Sequence, residues 1–340
     1  RRDKHIPLVR WSEIPKAWSR LCHSHYVAAL NAVSSAVLGW SPEKAALAVA
    51  VGALHDVGHI AFSHTLEHAL KDLGYPDHEV RGRMIVLEDR SIGAVLDSLG
   101  VDKEEVIAGI DEVGDMGAVQ KINDTLAYLT VDQIVCGFLG HRDEVRYRLL
   151  ATDFIRNLHG VRSGQLVLVN EKPVQTIINR RAEMYRDMFM SDTAKTIGKC
   201  FITLIQSAVQ KNLIDLNMVG LMSEDEVFGV IERMASEASG EREWLQELLG
   251  AIDSVNPLEN GMWERYSLSP MEVVIRLNSL TETRRRYAVH VRGKNTHSLS
   301  KQVTIRQWLG GAMMVLEPNK RILKLADPQD RDILFVPTFL

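Results

Sequence analysis

Apolar residues recur at three- and four-residue spacing through most of the first 215 residues, and this spacing predicts a succession of helices. The clearest helical stretches are 16–39, 62–73, 78–98, 102–110, 119–139 and 175–214. Ser41-Pro42-Glu43 is typical of a helix start, because serine caps the free amide groups and proline is tolerated in the first turn. The segment that follows, "EKAALAVAVGALHD", is apolar on nearly all sides and predicts a buried helix that ends or bends at Gly58.

The pattern changes in the second part of the chain. Residues 160–170 predict a short hairpin, and Ser223 begins an acidic amphipathic helix that "EREWLQELLGAI" follows. From about 270, "EVVIRLN", "RRRYAVHV", "QVTIRQW" and "ILFVPTFL" alternate and are rich in β-branched residues, which favours strands. We therefore expect a mainly α protein, with a helical domain over 1–215 and a helical plus mixed α/β region over 216–340. The boundary falls between 215 and 265.

Composition narrows the function classes. The formal net charge of −4 gives no general reason to expect binding to nucleic acid. Cys22, Cys136 and Cys200 form no CxxC pair, which is typical of a reducing compartment and favours a cytoplasmic location. No apolar run approaches the roughly 18 residues of a membrane span, and no signal-peptide pattern is present, so we expect no membrane association.

Histidines are concentrated near the start of the chain. Seven of the twelve lie between His23 and His78, and "LHDVGHIAFSHTLEH" holds four of them together with an aspartate and a glutamate. His55-Asp56 ends a buried helix, where a charged carboxylate is destabilising without a partner or a metal. Imidazole nitrogens and carboxylates are ligands that Mn²⁺, Fe²⁺ and Zn²⁺ accept. The run therefore indicates a metal site.

Further ligands must come from other helices. His23 and His25 stand upstream, but two residues on a helix differ by about 200° in direction, so only one of them can face the site. The apolar residues around them do not decide between the two. Downstream, Asp132 lies within an otherwise apolar helix, where either a metal or an arginine partner would explain it.

The series H…HD…D, with "HDVGHIAFSH" at its centre, resembles the HD-domain metal-dependent phosphohydrolases. The spelling HDxGHxxFSH, with "RLCHS" upstream, is similar to the branch that contains the dNTP triphosphohydrolases. The resemblance covers roughly residues 16–215. It implies an HD-domain helical bundle, one divalent metal (Mn, Fe, Co, Ni or Zn, or else Mg), and hydrolysis of a nucleotide by a metal-activated water. It also implies self-association into a homo-oligomer and allows a nucleotide effector.

The resemblance also assigns roles to individual residues. Its R-x-x-H-S pattern selects His23 rather than His25 as the first ligand. The implied metal ligands are His23, His55, Asp56 and Asp132. The implied phosphate-facing and proton-transferring residues are His59, His64, His78 and Arg20, with Arg186 as the substrate-binding arginine of a later helix. Glu67, one turn beyond His64, is expected to orient that histidine or a water, with a solvated surface glutamate as the alternative.

Three departures concern the substrate. Triphosphohydrolases often carry D-K-x-x-Y-x-x-x-D. When the first aspartate is matched to Asp132, this chain has Gln133 in place of the lysine, Cys136 in place of the tyrosine and Gly140 in place of the second aspartate. Their later R-x-x-Y-x-H cluster reads Arg186, Phe189 and Ser191, and their glutamine-bearing segment is not recognisable in "HIPLVRWSEIPKAW". A dNTP, an NTP or a related small phosphate ester, such as a nucleoside monophosphate or a cyclic nucleotide, therefore remains open.

Two other functions compete with hydrolysis of a nucleotide. The first is a catalytically weak nucleotide sensor with an HD fold, which passes its signal through residues 216–340. The second is a single-strand nuclease, against which the acidic net charge weighs. The basic run Arg284–Arg286 is typical of a solvated edge strand, although a phosphate-bearing effector, a neighbouring subunit or nucleic acid would also suit it.

Overall fold

The computed structural model describes residues 19–71, 73–135, 150–185, 192–238, 244–253, 263–281, 288–291, 305–309, 312–316 and 332–337. The helices in the first part of the chain are α1 (Arg20–Val37), α2 (Pro42–Leu54), α3 (His64–Lys71), α4 (His78–Glu88), α5 (Arg90–Ser98), α6 (Lys103–Ile110), α7 (Gly114–Val135) and α8 (150–157). Those that follow are α9 (Lys172–Met184), α10 (Asp192–Gln210), α11 (Glu224–Ser236), α12 (Trp244–Asp253) and α13 (Pro270–Ser279). The strands are β1 (Leu158–Arg162), β2 (Gln165–Leu168), β3 (Trp263–Leu268), β4 (Val289–Val291), β5 (Ile305–Leu309), β6 (Ala312–Leu316) and β7 (Asp332–Pro337). The prediction of a mainly helical protein with a small α/β part is confirmed.

The start of α2 follows its sequence signals. The Ser41 hydroxyl accepts a hydrogen bond from the Lys44 amide, and Pro42 occupies the first turn, as predicted. Helix α2 crosses α1 closely at Gly52, where a Cβ atom would lie 2.7 Å from the Ala28 Cα. Only a residue without a side chain permits this approach. The crossing fixes the position of the end of α2 relative to α1.

The single helix predicted over 78–98 is two helices. Asp89 ends α4, and its carboxylate accepts hydrogen bonds from the amides of Ser91 and Ile92, which begins α5. Aspartate competes with the helix for backbone amides, so the chain turns there although the apolar spacing continues. In the stretch predicted as one helix over 175–214, the structure describes α9 and α10, and residues 186–191 lie outside the described ranges.

The C-terminal strands are predicted in part. Segment "EVVIRLN" was expected to be a strand but lies in α13, because Ser269 and Glu272 form a reciprocal capping box at its start. The strands pair in two sheets, β1-β2-β5-β6 and β3-β7-β4. Since β5 pairs with β2 in parallel, the C-terminal region contributes strands beside the early hairpin. Arg284–Arg286 lies outside the described residues.

Three apolar clusters surround the segment between α2 and α3. One joins α1, α7, α8 and α9, the second joins α3 to α10, α11 and α12, and the third joins α2 to α4, α5 and α6. Val57 packs against the third cluster, while Ile60 and Ala61 belong to the second. The histidine-rich segment 55–63 therefore runs between separately packed groups of helices, which hold its polar side chains in place.

Every helix in the described part of the chain falls short of the combined length and apolar character that crossing a bilayer requires.

Candidate metal centre

Four side chains from three helices meet at the end of α2, and we call them the first cluster: His23, His55, Asp56 and Asp124. His23 lies on α1, His55 and Asp56 follow α2, and Asp124 lies on α7. The His23 Nε2 atom is 2.9 Å from Asp124 Oδ1 and 3.7 Å from Asp56 Oδ2. The His55 Nε2 atom is 3.3 Å from Asp56 Oδ2 and 3.6 Å from Asp124 Oδ1. Two nitrogens and two carboxylates thus converge on one point.

The choice between the two upstream histidines is clear in the structure. The side chain of His23 is fully buried and faces the first cluster, whereas His25 is exposed on α1. The two residues differ by about 200° in direction on the helix, so they cannot share a face. His23 therefore belongs to the candidate site, as the resemblance implies.

The carboxylate that α7 brings beside His23 and His55 is that of Asp124, while the metal-ligand role of Asp132 stays a prediction. Asp124 lies beside His23 and His55, whereas Asp132 stands eight residues later on the same helix, about 12 Å farther along its axis at 1.5 Å per residue. A single helix cannot bring both carboxylates to one ion across that distance. The side chain of Asp132 lies outside the described residues, and we assign the fourth position to Asp124.

His55 supplies the physical test of whether a cation fits this site. Its Nδ1 atom lies 2.8 Å from the Gly52 carbonyl oxygen, which can only accept a hydrogen bond, so Nδ1 carries the proton. The Nε2 atom of the neutral ring then carries a lone pair, which faces the carboxylates of Asp56 and Asp124. Lone pair and carboxylates repel one another unless a proton or a metal cation lies between them. The donor set therefore fits a divalent metal.

The charge balance leads to the same result. Burial lowers the pKa of His55, but the charges and hydrogen bonds of Asp56 and Asp124 outweigh it and raise the pKa to about 10. Arg20 donates a hydrogen bond to Asp56 and another, of 2.8 Å, to Ser63 Oγ. Arg20 and a protonated His55 balance the two carboxylates, and a divalent cation that displaces this proton would balance them as well.

Arg20 also links the first cluster to the turn at Phe62 and Ser63. It is 3 % exposed, and its guanidinium bonds to Asp56 rather than lying open on the surface. Ser63, its other partner, has a φ of 48°, and the preceding Phe62 has a φ of 54°. Two successive non-glycine residues in this left-handed region store strain, which the surrounding contacts must hold. Through Arg20, this strained turn is linked to Asp56, a candidate metal ligand.

A second group of side chains lies next to the first, and we call it the histidine–glutamate cluster: His59, His64, Glu67 and His78. Glu67 Oε2 is 2.8 Å from His78 Nδ1 and 3.5 Å from His64 Nδ1. The rings of His59 and His78 stack with their centroids 4.0 Å apart. Burial raises the pKa of Glu67, but hydrogen bonds and charges from His64 and His78 outweigh it and hold this pKa well below its usual range. Glu67 is therefore an ionised partner of two histidines, not a solvated surface residue.

The two groups are adjacent. His59 Nε2 lies 3.3 Å from Asp56 Oδ1, so one carboxylate of the first cluster also faces the second. All four residues that were predicted to carry protons or orient them are thus brought together beside the candidate metal ligands. The chain folds this way because the turn at residues 59–63 reverses direction between α2 and α3.

A buried arginine on α9 was missed by the sequence analysis. Arg181 lies close to Tyr128 on α7, and its guanidinium is 5.5 Å from the ring centroid of Tyr185. Burial lowers the pKa of Arg181, but the neighbouring Tyr128, Tyr185 and Asp124 outweigh it and raise the pKa. Arg186, the predicted substrate-binding residue, lies outside the described residues.

The triphosphohydrolase pattern D-K-x-x-Y-x-x-x-D fits this chain better when its first aspartate is matched to Asp124 instead of Asp132. Counted from Asp124, the pattern D-K-x-x-Y-x-x-x-D reads Asp124, Thr125, Tyr128 and Asp132. The tyrosine and the second aspartate are therefore present, and only the lysine is replaced, by Thr125. The spacing of Tyr128 and Asp132 after Asp124 is the signal in the sequence that points to Asp124 as a candidate ligand.

A buried amide network fixes the helices that carry the ligands. Asn31 on α1 donates to the Ala48 carbonyl oxygen and to Gln120 Oε1, each at 2.7 Å, and accepts from Asn123 Nδ2 at 2.8 Å. Asn31 and Asn123 are fully buried, and Asn123 precedes Asp124 on α7. The network therefore sets the rotation of α7 against α1 and α2, and with it the approach of Asp124 to His23.

Replacing Asn31 with alanine should weaken both stability and metal binding. It leaves Gln120 Oε1 without its buried donor, and it removes one partner of Asn123, which keeps its bond to Ser34. A buried polar group that loses its partner costs about 1–3 kcal/mol of unfolding free energy. Asn157→Ala is the matched control, because Asn157 is also buried and bonds to the Asn170 backbone, away from the site. Urea unfolding and calorimetric metal titration of both variants test this. We expect both variants to lose a similar amount of stability, and only Asn31→Ala to bind metal more weakly. Equal metal affinities of the two variants would contradict the role of the network.

Comparison with known proteins was made for the sequence and for the fold. The sequence matches no protein-family model and no curated protein. Among solved structures, a phosphohydrolase from Bacteroides thetaiotaomicron VPI-5482 is similar, with a TM-score of 0.66 over 99 % of this chain and 94 % of that chain. The two chains share one fold. Their sequences are 13 % identical, so the likeness is one of architecture.

Proposed function

We propose that this protein is a metal-dependent phosphohydrolase that acts on a nucleotide. The observation that carries the proposal is His55, whose Nε2 atom faces two carboxylates in an arrangement that a bound divalent cation would satisfy. The histidine–glutamate cluster beside it adds groups that transfer protons near neutral pH. The structural neighbour from Bacteroides thetaiotaomicron, which is named a phosphohydrolase, supports the same class of reaction.

The donor set suggests which metals the first cluster holds. Two imidazole nitrogens and two carboxylates suit Mn²⁺, Fe²⁺, Co²⁺, Ni²⁺ or Zn²⁺ better than Mg²⁺, which prefers oxygen ligands alone. His23, His55, Asp56 and Asp124 would hold the ion. When bound, such a metal polarises phosphoryl oxygens and lowers the pKa of water.

The residues of the chain itself supply the remaining chemistry. The 2.8 Å bond between Glu67 and His78 orients that imidazole, so His78 is placed to protonate a leaving oxygen. His59 lies between the carboxylate of Asp56 and the ring of His78, and we assign it to the phosphate-facing side. His64 has a side chain 36 % exposed and lies at the solvent-facing side of this cluster.

A nucleotide is the substrate class that the neighbouring residues favour. Arg181 provides a cation for phosphate oxygens, and Tyr128 and Tyr185 provide aromatic rings that suit a sugar or a base. In the triphosphohydrolase-like spacing that starts at Asp124, Tyr128 is the expected tyrosine. We therefore infer that a nucleoside phosphate binds between α7 and α9, with its phosphates toward the first cluster.

The test is a release assay on metal-stripped protein re-supplied with Mn²⁺, Co²⁺, Ni²⁺, Zn²⁺ or Mg²⁺. The substrates are dNTPs, NTPs, NMPs and cyclic nucleotides, and the products are resolved as phosphate, pyrophosphate or triphosphate. Metal-dependent release from at least one nucleotide is the expected result. Nucleotide binding without turnover under any of these metals would reject the hydrolase and favour a sensor.

Replacing Arg181 with glutamine should raise KM more than it lowers kcat. Losing charged hydrogen bonds to phosphate costs about 1.5–3 kcal/mol, which is roughly a 10- to 100-fold rise in KM. Arg180→Gln is the control, since Arg180 is the next residue and pairs with Glu183 at 2.6 Å. Steady-state kinetics with the best nucleotide measures both. An equal effect of the two changes would remove Arg181 from the substrate site.

A further inference from the structure

The histidine–glutamate cluster has the composition of a metal site in its own right. His59, His64, Glu67 and His78 each offer one ligand atom, and these four atoms lie within 4.8 Å of one another. Three imidazoles and one carboxylate form a nitrogen-rich donor set, which Zn²⁺ binds in tetrahedral geometry. None of these side chains belongs to the first cluster.

The side chains already converge on one carboxylate oxygen. Both His64 and His78 direct Nδ1 toward Glu67 Oε2, at 3.5 and 2.8 Å. The ring centroids of His64 lie 4.9 Å from those of His59 and of His78. A cation would replace the protons that His64 and His78 share with Glu67, and one of the stacked rings of His59 and His78 would turn to face it.

The cluster is also accessible from solvent. The side chains of His64 and His78 are 36 % and 22 % exposed, whereas His59 is fully buried at the far side of the group. A cation can therefore enter past His64 and be held against His59. The carboxylate of Asp56 lies beyond, with Oδ1 facing His59 at 3.3 Å, so the two sites are neighbours.

We propose that the histidine–glutamate cluster is a second divalent-cation site, selective for Zn²⁺ over Mn²⁺, beside the first cluster. Selectivity follows from its three nitrogen ligands, since Mn²⁺ prefers oxygen donors and binds more weakly in nearly all such sites. At saturation with Zn²⁺ the protein therefore holds two ions, one in each cluster.

A consequence follows that rests on the proposed function. An imidazole that binds a metal through its lone pair cannot at the same time carry the proton that a leaving oxygen needs. Zn²⁺ in the second site therefore inhibits a protein whose first site holds Mn²⁺. The inhibition is reversed when a chelator removes the more accessible zinc.

The test measures metal binding directly on the full chain. Metal-stripped protein is titrated with Zn²⁺ by isothermal titration calorimetry, and bound zinc is counted by elemental analysis after gel filtration. Wild-type protein should bind two equivalents. His64→Ala and Glu67→Gln should each bind one tightly, with affinity for the second lowered by more than the roughly 100-fold that outer-shell changes cost. Glu67→Gln keeps the shape of the side chain, so it guards against a folding defect in the alanine variant.

His68→Ala is the matched control. His68 is an exposed histidine on the same helix, one turn after His64, and it lies outside the four-residue group. This variant should bind two equivalents, as should a wild-type sample at a second protein concentration. One equivalent in the wild type, or equal losses in His64→Ala and His68→Ala, would overturn the second site.

The outcome is separable from that of the release assay. Two equivalents of Zn²⁺ without turnover of any nucleotide would retain the second site and reject the hydrolase. Turnover with a single equivalent of zinc, unaffected by the change at Glu67, would retain the hydrolase and reject the second site.

Discussion

Asp124→Asn should lose the metal of the first cluster and nearly all phosphohydrolase activity while the protein stays folded. Asparagine keeps an oxygen for the 2.9 Å contact with His23 but removes the charge that a divalent ion requires. We expect metal affinity to fall at least about 100-fold, beyond the range of outer-shell changes. The phosphohydrolysis rate should fall about a thousandfold, because a bound metal contributes several kcal/mol of transition-state stabilisation.

Asp132→Asn is the control for this change. It is the same substitution on the same helix, eight residues farther on, and it should leave metal content unaltered. Elemental analysis and circular dichroism of both variants measure metal and folding independently of activity. Loss of metal in Asp132→Asn with retention in Asp124→Asn would return the ligand to the position first predicted.

Gly58→Ala should destabilise the protein and lower its activity together. A Cβ at this position would lie 2.0 Å from the His78 carbonyl oxygen and 2.5 Å from the Gly82 amide nitrogen, and both are backbone atoms. Helix α4 must therefore move away, at a cost of about 1–3 kcal/mol or more in unfolding free energy. Because His78 begins α4, its imidazole moves from Glu67, and a displacement near 1 Å is enough to cost about 100-fold in rate.

Gly82, on the α4 side of the contact with Gly58, provides the comparison. A Cβ at Gly82 would meet its nearest atoms at 3.7 and 3.8 Å, an ordinary van der Waals distance. Gly82→Ala should therefore be tolerated, and it should stabilise α4 by roughly 0.5–1 kcal/mol because alanine favours the helix. Thermal unfolding and phosphate release of the two variants test the contact. A Gly58→Ala protein with wild-type stability and rate would show that α4 does not depend on it.

The helix caps show how much local structure the sequence predicted. Ser41 and Ser223 accept hydrogen bonds from the amides that begin α2 and α11, as their positions indicated. Asp89 and Ser269 are capping residues of the same kind. The apolar spacing around them predicts one helix over 78–98 and a strand at "EVVIRLN", whereas the structure has a break at Asp89 and helix α13. A capping side chain acts on the few amides beside it, so it can interrupt a pattern that continues on both sides.

The two carboxylates of α7 show what spacing along a single helix does not report. Asp124 stands between Asn123 and Thr125, a polar triplet that is typical of a solvated face, whereas Asp132 and Gln133 interrupt a largely apolar stretch. The polar neighbours are in fact buried, because Asn123 joins the network with Asn31 and Gln120. Burial of polar groups depends on partners from other helices, which periodicity along one helix does not report.

The sequence by itself determined the helical class, the pairing of His55 with Asp56, and the presence of proton-carrying histidines on the turns that follow. These depend on residues close together in the chain, where spacing and capping act directly. Only the tertiary structure decided that Asp124 completes the first cluster, that Arg181 faces Tyr128, and that Glu67 joins His64 to His78. Each of these depends on how separate helices cross, and that is set by close contacts such as those at Gly52 and Gly58 and by the buried amide network.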